Sequence, residues 1–393
     1  TPHGAELAES AAHSGTRIIR SYHDTAGVPQ DLPELVRRLE AVDREIPKLA
    51  VTPNGIAELR RLIAVAPQIR RAGGILVGMG PVGVVTRILS PLLGSRLTFC
   101  SVGQRQAAPG HLDPATLVQL YRFRSIGPKT QIFAVIGNPV MHSRSPHYHN
   151  PILAEHNLDA VYVPLQVDDV GEFFRLADEL PVRGVSVTIP HKADVIPHLD
   201  SVDESVAATG ACNTLVREAD GRWRGVNTDV PGFLRPLKAV RAVAGAKAAV
   251  IGAGGAARAV AFALAREGAE VCLFNRTAER ARRLAEELAE RQGAGNITSA
   301  VLAPDSEELL RRYSDVIVQT TSVGMAPGET EDPLSWFAFA GNELVYDIIY
   351  TPERTRLLER ARAAGCAVIP GGEMFRGQAQ EQARLFCELL SSA

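Results

Sequence analysis

Short apolar runs and longer stretches with helical spacing alternate along the chain, a pattern of strand followed by helix. In the first third, strands are predicted at Arg17–Arg20, Ile46–Val51, Gly74–Met79 and Leu97–Val102. Helical patterns fall over Ala5–His13, Pro33–Ala41, Asn54–Ala66 and Val84–Leu92. Strands joined by crossover helices pair in parallel. Four such units make half of an eight-unit barrel, so residues 1–125 are expected to form a partial (β/α) barrel, four of eight units. After a linker around Phe123–Thr130 the pattern restarts. Strands at Ile132–Ile136, Val161–Leu165 and Gly184–Ile189, with helices at Pro146–His156 and Val170–Leu180, predict an α/β domain over residues 131–235 with a mostly parallel sheet. A second set follows at Ala248–Ile251, Glu270–Phe274, Val316–Gln319, Leu344–Asp347 and Ala367–Ile369. The boundary between the two is expected within Gly232–Ala244. The last helix, Phe375–Leu390, is expected to pack back on the middle domain as residues 373–393.

The stretch Ile251-Gly252-Ala253-Gly254-Gly255-Ala256-Ala257 lies between an apolar run and an alanine-rich helical pattern. Strand, tight turn and helix N-terminus in that order suit a pyrophosphate, because Gly252 and Gly254 let the backbone approach it and the first helical amides face its charge. Residues 236–372 are therefore expected to be a Rossmann-like dinucleotide domain, with Gly255 and Ala256 in the same turn. About twenty residues further on, where an NAD site has an acid for the ribose hydroxyl, the chain has Asn275-Arg276-Thr277. Arg276 and Thr277 offer donors that suit a 2′-phosphate. The expected cofactor is NADP.

Composition removes several classes. The 393 residues are 46% hydrophobic, and 42 Lys and Arg nearly balance 44 Asp and Glu, leaving a net charge of -2. That balance gives no electrostatic footprint for nucleic acid. There is no eighteen-residue apolar run for a membrane span and no basic-then-apolar secretory start. Five scattered cysteines read as reduced buried thiols in a cytoplasmic protein, and no metal-ligand spacing stands out. The opening Thr1-Pro2-His3-Gly4 lacks an initiator methionine and reads as a fragment.

Candidate chemistry gathers in two places. In the middle domain, Ser143 and Ser145 alternate ahead of a helix begun by Pro146, so both hydroxyls can face a carboxylate or diol; a helix cap is the alternative. Thr188 and Lys192 stand just past a strand, and Asn213, Asn227 and Asp229 add two amides and a carboxylate. Lys192 and Asp229 suit the proton that accompanies a hydride, although a structural ion pair has the same residue types. In the first segment, Ser21-Tyr22-His23-Asp24, Lys48 and Gln104-Arg105-Gln106 fall at strand C-terminal ends, the rim where barrels carry chemistry, or else are solvated loop residues.

These motifs, in order, carry a resemblance. Residues 131–393 resemble shikimate dehydrogenase in Gly137-Asn138-Pro139, Ser143-Arg144-Ser145-Pro146, Val187-Thr188-Ile189-Pro190-His191-Lys192, Asn213-Thr214, Asn227-Thr228-Asp229, Asn275-Arg276-Thr277, Thr321-Ser322-Val323-Gly324-Met325 and Gly371-Gly372-Glu373-Met374 before Gln378. The resemblance implies reversible NADPH-dependent reduction of 3-dehydroshikimate to shikimate. It implies that Ser143, Ser145, Thr188, Asn213, Asp229 and Gln378 hold the substrate, that Lys192 and Asp229 form the catalytic pair, and that Met325 and Gly372 border the nicotinamide. Two departures are Ser186, where many members have asparagine, and Val230, where glycine is common.

Residues 1–125 are similar to the C-terminal half of type I 3-dehydroquinate dehydratase, which dehydrates 3-dehydroquinate through a Schiff base. The resemblance makes His23 the catalytic histidine, Lys48 the Schiff-base lysine and Arg87 the carboxylate ligand, and a fused dehydratase–dehydrogenase the expected whole. Ala107 replaces a substrate-binding serine and His111 a glutamine. Three other readings remain open: a dehydrogenase acting on quinate as well as shikimate, a non-catalytic NADP-binding protein, and a purely structural role for residues 1–125. Oligomeric state is not legible.

Overall fold

A computed structural model describes residues 9–11, 13–39, 45–102, 110–292 and 296–391. The chain divides into two compact units, Thr1–Asp194 with Leu389–Ala393, and Val195–Glu388.

The first unit begins with a parallel sheet in the order β1 (Ile18–Asp24), β2 (Glu45–Val51), β3 (Ile75–Gly78). Register puts Ser21 beside Lys48, His23 beside Ala50 and Lys48 beside Ile75. Since side chains alternate along a strand, His23, Lys48, Ile46, Ala50, Ile75 and Val77 share one face. Ile46, Ala50, Ile75, Val77 and Met79 form a small core there, with Phe99 packed against it. On β1 the same face is open: Ile19 is 40% exposed, and Ser21 and His23 are exposed.

Leu97–Val102, expected as a fourth strand, is irregular. Arg96 N donates to Gly74 O, and then a side chain takes the backbone groups that a ladder would use: Ser95 Oγ accepts from Leu76 N of β3 and donates to Leu97 O. Leu97 and Val102 are exposed, so apolar burial along the stretch is limited largely to Phe99. The expected rim residues Gln104, Arg105 and Gln106, the changed loop position Ala107, and most of the helix expected over Ala5–His13 lie outside the described residues.

Further along the same unit, β4 (Gln131–Gly137) pairs in parallel with β5 (Ala160–Gln166) on one side and β6 (Val182–Val187) on the other. All three strands are almost wholly buried, as a parallel sheet covered on both faces requires. The helix Ser145–Glu155 lies on β5, and the helix Val170–Glu179, N-capped by Asp169 accepting from Glu172 N, packs on the helix Ile56–Ala64 of the first segment.

In the second unit β7 (Ser201–Val202) runs parallel to β9 (Trp223–Val226), and β8 (Thr214–Arg217) is antiparallel to β9. These short strands were not anticipated. Two residues are too few for a periodic signal, and the hairpin turn at Asp220-Gly221 separates runs of only four. The helix Asp229–Val240 occupies much of Gly232–Ala244, where a boundary was expected.

The larger sheet of this unit contains β10 (Lys247–Ile251), β11 (Glu270–Asn275), β12 (Ile297–Val301), β13 (Val316–Gln319), β14 (Leu344–Asp347) and β15 (Ala367–Ile369), in the order β12-β11-β10-β13-β14-β15, every pair parallel. The order reverses at β10, which makes a crevice at its C-terminal end, the usual ligand position in such sheets. Beyond β10 runs the helix Gly255–Arg266, whose alanines at 257, 259, 261 and 263 have no solvent exposure. It packs closely on the helix Asp229–Val240, because small side chains let the two backbones approach. Among the described residues no helix is long and apolar enough to cross a membrane.

Candidate active site

At the reversal of the large sheet, Gly252 has φ +118, a conformation that L side chains rarely adopt. A Cβ there would stand 2.7 Å from Thr320 Oγ1, so two constraints demand glycine. Gly254 is extended at the helix N-terminus, and a Cβ on it would meet open space. Gly255 is exposed and Ala256 half-buried, so the first turn of the helix presents its amides outward. On the neighbouring strand end, Asn275 Nδ2 donates to Thr277 O and fixes the turn, leaving Arg276 and Thr277 exposed beside the glycine turn. Met325, 46% exposed, follows β13, and Gly372 lies in the first turn of the helix Gly371–Ser391 after β15. The whole predicted dinucleotide set thus lies along the C-terminal edge of one sheet, and an open turn with outward amides and a free guanidinium fits a phosphorylated dinucleotide.

The same unit carries a buried polar network around Asn213. Asn213 Oδ1 accepts from Thr228 N at 2.8 Å and from Thr214 Oγ1 at 2.8 Å, while its Nδ2 donates to Asp229 Oδ1 at 2.8 Å. Asn227 Oδ1 accepts from Asp229 N, and its Nδ2 donates to Ala211 O. Asn213, Asn227, Thr228 and Asp229 are all buried, so each hydrogen bond here is made in a low dielectric where an unmade one would be costly. Gln382, which sequence reasoning passed over, donates to Thr214 Oγ1 and Asn213 O. Its one sequence signal is a place four residues after Gln378, on the same helix face. Gln378 packs against Gly232, whose absent Cβ would meet Gln378 N at 2.6 Å.

In the first unit, Ser143, Ser145, Thr188 and Lys192 follow the C-terminal ends of β4 and β6. Ser143 Oγ donates to Ser145 Oγ at 3.1 Å and accepts from Ser145 N, which turns both hydroxyls into one cluster. Beneath them Tyr162 donates to Ser186 Oγ at 2.6 Å. Burial pushes the Tyr162 phenol upward, so it remains a donor at neutral pH. Thr188 N donates to Ile136 O, extending the ladder, and Gly137 is glycine because a Cβ would stand 2.5 Å from Thr188 Cγ2. Lys192 is half-buried in the turn that follows. Its neighbour His191 anchors that turn: Nε2 donates to Val167 O at 2.8 Å and Nδ1 lies 3.3 Å from Asp194 Oδ2.

The partial barrel gathers a second group. Lys48 Nζ lies 4.2 Å from the Phe99 ring centroid. Burial, and then the Arg87 guanidinium, push its amine below the ordinary lysine value, which enlarges the nucleophilic fraction. Arg87 is 2% exposed and its Nη1 donates to Phe99 O at 3.4 Å; burial draws it down to about 10. His23 is lowered by burial and by Lys48, and His111 by burial, Arg87 and Lys48. Lys48, Arg87, His23 and His111 therefore face one positive field, the electrostatics of a carboxylate pocket.

A glycine-turn parallel sheet with an exposed basic edge, accompanied by a buried Asn–Asp network, defines an α/β dinucleotide-dependent oxidoreductase. The chain is 42% identical over 255 residues to the shikimate dehydrogenase (NADP(+)) of Methanopyrus kandleri, across 63% of this chain and 87% of that protein. It belongs to the shikimate dehydrogenase family. Residues 135–215 match the shikimate dehydrogenase substrate binding domain, residues 237–325 match shikimate / quinate 5-dehydrogenase, and residues 2–128 match type I 3-dehydroquinase. The bifunctional 3-dehydroquinate dehydratase/shikimate dehydrogenase of Arabidopsis thaliana chloroplasts is 35% identical over 391 residues, 95% of this chain; the chain spans 63% of that relative's length. The shikimate 5-dehydrogenase of Thermus thermophilus, solved with NADP(H) and shikimate, is 35% identical with a TM-score of 0.57, over 66% of this chain and 94% of that one.

Proposed function

We propose that this chain interconverts 3-dehydroshikimate and shikimate with NADP(H). The observation that carries this reading is the pairing, in one unit, of the open glycine turn beside Arg276 with the Asn213–Asp229 network. NADPH supplies the hydride when bound. The chain's residues handle everything else: Arg276 and Thr277 take the 2′-phosphate, and the amides after Gly254 take the pyrophosphate. Ser143 and Ser145 bind the substrate carboxylate; Thr188, Asn213 and Gln378 bind ring hydroxyls. Lys192 donates a proton to the ketone oxygen as the carbon accepts the hydride, and Asp229 is the second proton-handling group of the pair. Asn213 Nδ2 holds the Asp229 carboxylate in one orientation for that role. A coupled assay of shikimate oxidation with NADP+ and NAD+ tests the reading; no turnover with either cofactor refutes it.

The type I dehydroquinase match favours a second activity in the whole protein. Lys48 condenses with the ketone of 3-dehydroquinate and releases water, His23 removes the proton next to the resulting iminium and returns one to the departing hydroxyl, and Arg87 holds the carboxylate. Hydrolysis then frees Lys48. Borohydride trapping of substrate on Lys48, in this chain and in a version with a complete barrel, tests this assignment; no adduct in either removes it. Quinate is the competing substrate for the reductase, and turnover of quinate equal to that of shikimate would transfer the assignment to it. Five free cysteines support a cytoplasmic setting for both reactions.

A further inference from the structure

The helix Ile56–Ala64 follows the Lys48 strand, and its N-terminus lacks a cap of its own: Gly55 stands at the cap position with no side chain. The acceptor comes from a distant part of the chain. Asp168 Oδ1 accepts from Ile56 N at 2.8 Å, and a Cβ on Gly55 would lie 2.3 Å from Asp168 Oδ2, so this glycine is the space in which the carboxylate sits. Arg60, one turn into the helix, bonds Glu172 at 3.1 Å and Glu179 at 3.0 Å. Behind these contacts Ile63, Val85 and Leu89 meet Val163, Phe173 and Leu176 in an apolar seam.

Asp168 is joined directly to Val167, and Val167 is where the Lys192 turn is anchored. Val167 is fully buried; its N donates to Gly137 O, and its O accepts from His191 Nε2 at 2.8 Å. His191 N in turn donates to Thr188 O. One extended segment therefore caps a partial-barrel helix with one residue and holds the Thr188–Lys192 turn with the residue before it.

We infer that Asp168 is a positioning residue for the reductase, fixing the Thr188–Lys192 turn by tying the Val167 carbonyl to the N-terminus of the Ile56–Ala64 helix. Its carboxylate is spent on the Ile56 amide, and it acts through the turn rather than on the reacting atoms. The partial barrel is thereby part of the scaffold of the shikimate side, whatever chemistry Lys48 performs. This inference rests on the proposed reductase activity, so one of its tests needs no substrate.

The variants are Asp168→Ala, Asp168→Asn and Gly55→Ala. Asp168→Ala should raise KM for shikimate by about fivefold or more, with KM for NADP+ within about twofold of wild type, because only the substrate side loses its anchor. Asp168→Asn keeps an oxygen acceptor for Ile56 N and should restore most of the shikimate KM. Gly55→Ala attacks the same contact from the partial barrel and should reproduce the Asp168→Ala effect, which also decides the matter if Asp168→Ala fails to fold. In hydrogen exchange without ligands, the amides of His191 and Lys192 should exchange faster in Asp168→Ala. Wild-type shikimate KM in Gly55→Ala, equal impairment of Asp168→Ala and Asp168→Asn, or unchanged exchange at His191 and Lys192 would overturn the inference. Absence of shikimate oxidation in the wild type, with the exchange change still present, would instead remove the reductase reading and leave the anchor standing.

Discussion

Asp347 ends β14 with no solvent exposure, and burial raises its carboxyl from 3.8 to about 6. Thr355 Oγ1 donates to it at 2.7 Å and Ile349 N at 3.0 Å, and both hydrogen bonds oppose the rise; the nearby Asp332 carboxylate adds to it. A carboxyl whose folded value exceeds its unfolded one holds its proton more tightly in the folded state. Its contribution to stability is therefore complete below the unfolded value near 3.8 and is lost as pH rises through 6. Across the whole window the shift corresponds to ~3 kcal/mol, of which roughly half falls between pH 8 and pH 5. Asp347→Asn removes the titration while keeping an acceptor for Ile349 N. The assay is urea unfolding of both proteins at pH 5, 6, 7 and 8, followed by tryptophan fluorescence, since Trp223 and Trp336 both lie in the unit that holds Asp347. Wild-type stability relative to the variant should rise by roughly 1 kcal/mol as the pH falls from 8 to 5. A gap between the two proteins that stays constant to within about 0.3 kcal/mol over that range would refute the reasoning.

Lys192→Ala should lower kcat roughly 10²–10⁴-fold with little change in NADPH affinity, measured by fluorescence titration beside steady-state kinetics. Arg276→Asp puts a repelling charge where the 2′-phosphate is assigned; the ratio of kcat/KM for NADPH over NADH should fall about tenfold or more, and an unchanged ratio would sink the phosphate assignment. Asn213→Ala strips the buried Thr228 amide of its acceptor and Asp229 of a donor, at a cost of about 2–5 kcal/mol in unfolding free energy for the two groups together. Its shikimate KM should rise as well, which a purely structural asparagine would not produce.

Much of this fold was legible because parallel strands buried on both faces appear as continuous apolar runs. β4 and β10 fall within a residue or two of expectation, and the glycine turn at 252–255 needed only its flanking strand and helix to be placed. What escaped was short or cooperative. β12 carries exposed and half-buried positions through Ile297–Val301, so it lacks both the run and the clean alternation that mark a strand. Leu97–Val102 has strand composition, but the Ser95 hydroxyl claims Leu97 O and the Leu76 amide of β3. Gln382 was missed because its role depends on the fold bringing it to Asn213, 169 residues away in sequence. Asp168 was invisible for the same reason: an aspartate beside an aspartate looks like a local helix start, and only Asp169 is one.

The alanine-rich helix Gly255–Arg266 looks like the most generic stretch of the chain. Its alanines at 257, 259, 261 and 263 are fully buried in a close-packed core, so a larger side chain at any of them has to displace its neighbours. Mutational tolerance should therefore run opposite to apparent complexity. The exposed charged face of the helix Ala278–Gln292 can drift in sequence, outside its core positions Ala281, Leu284, Ala285 and Leu288, while the buried alanines at 257, 259, 261 and 263 accept little change without moving the phosphate-facing turn at the head of their helix.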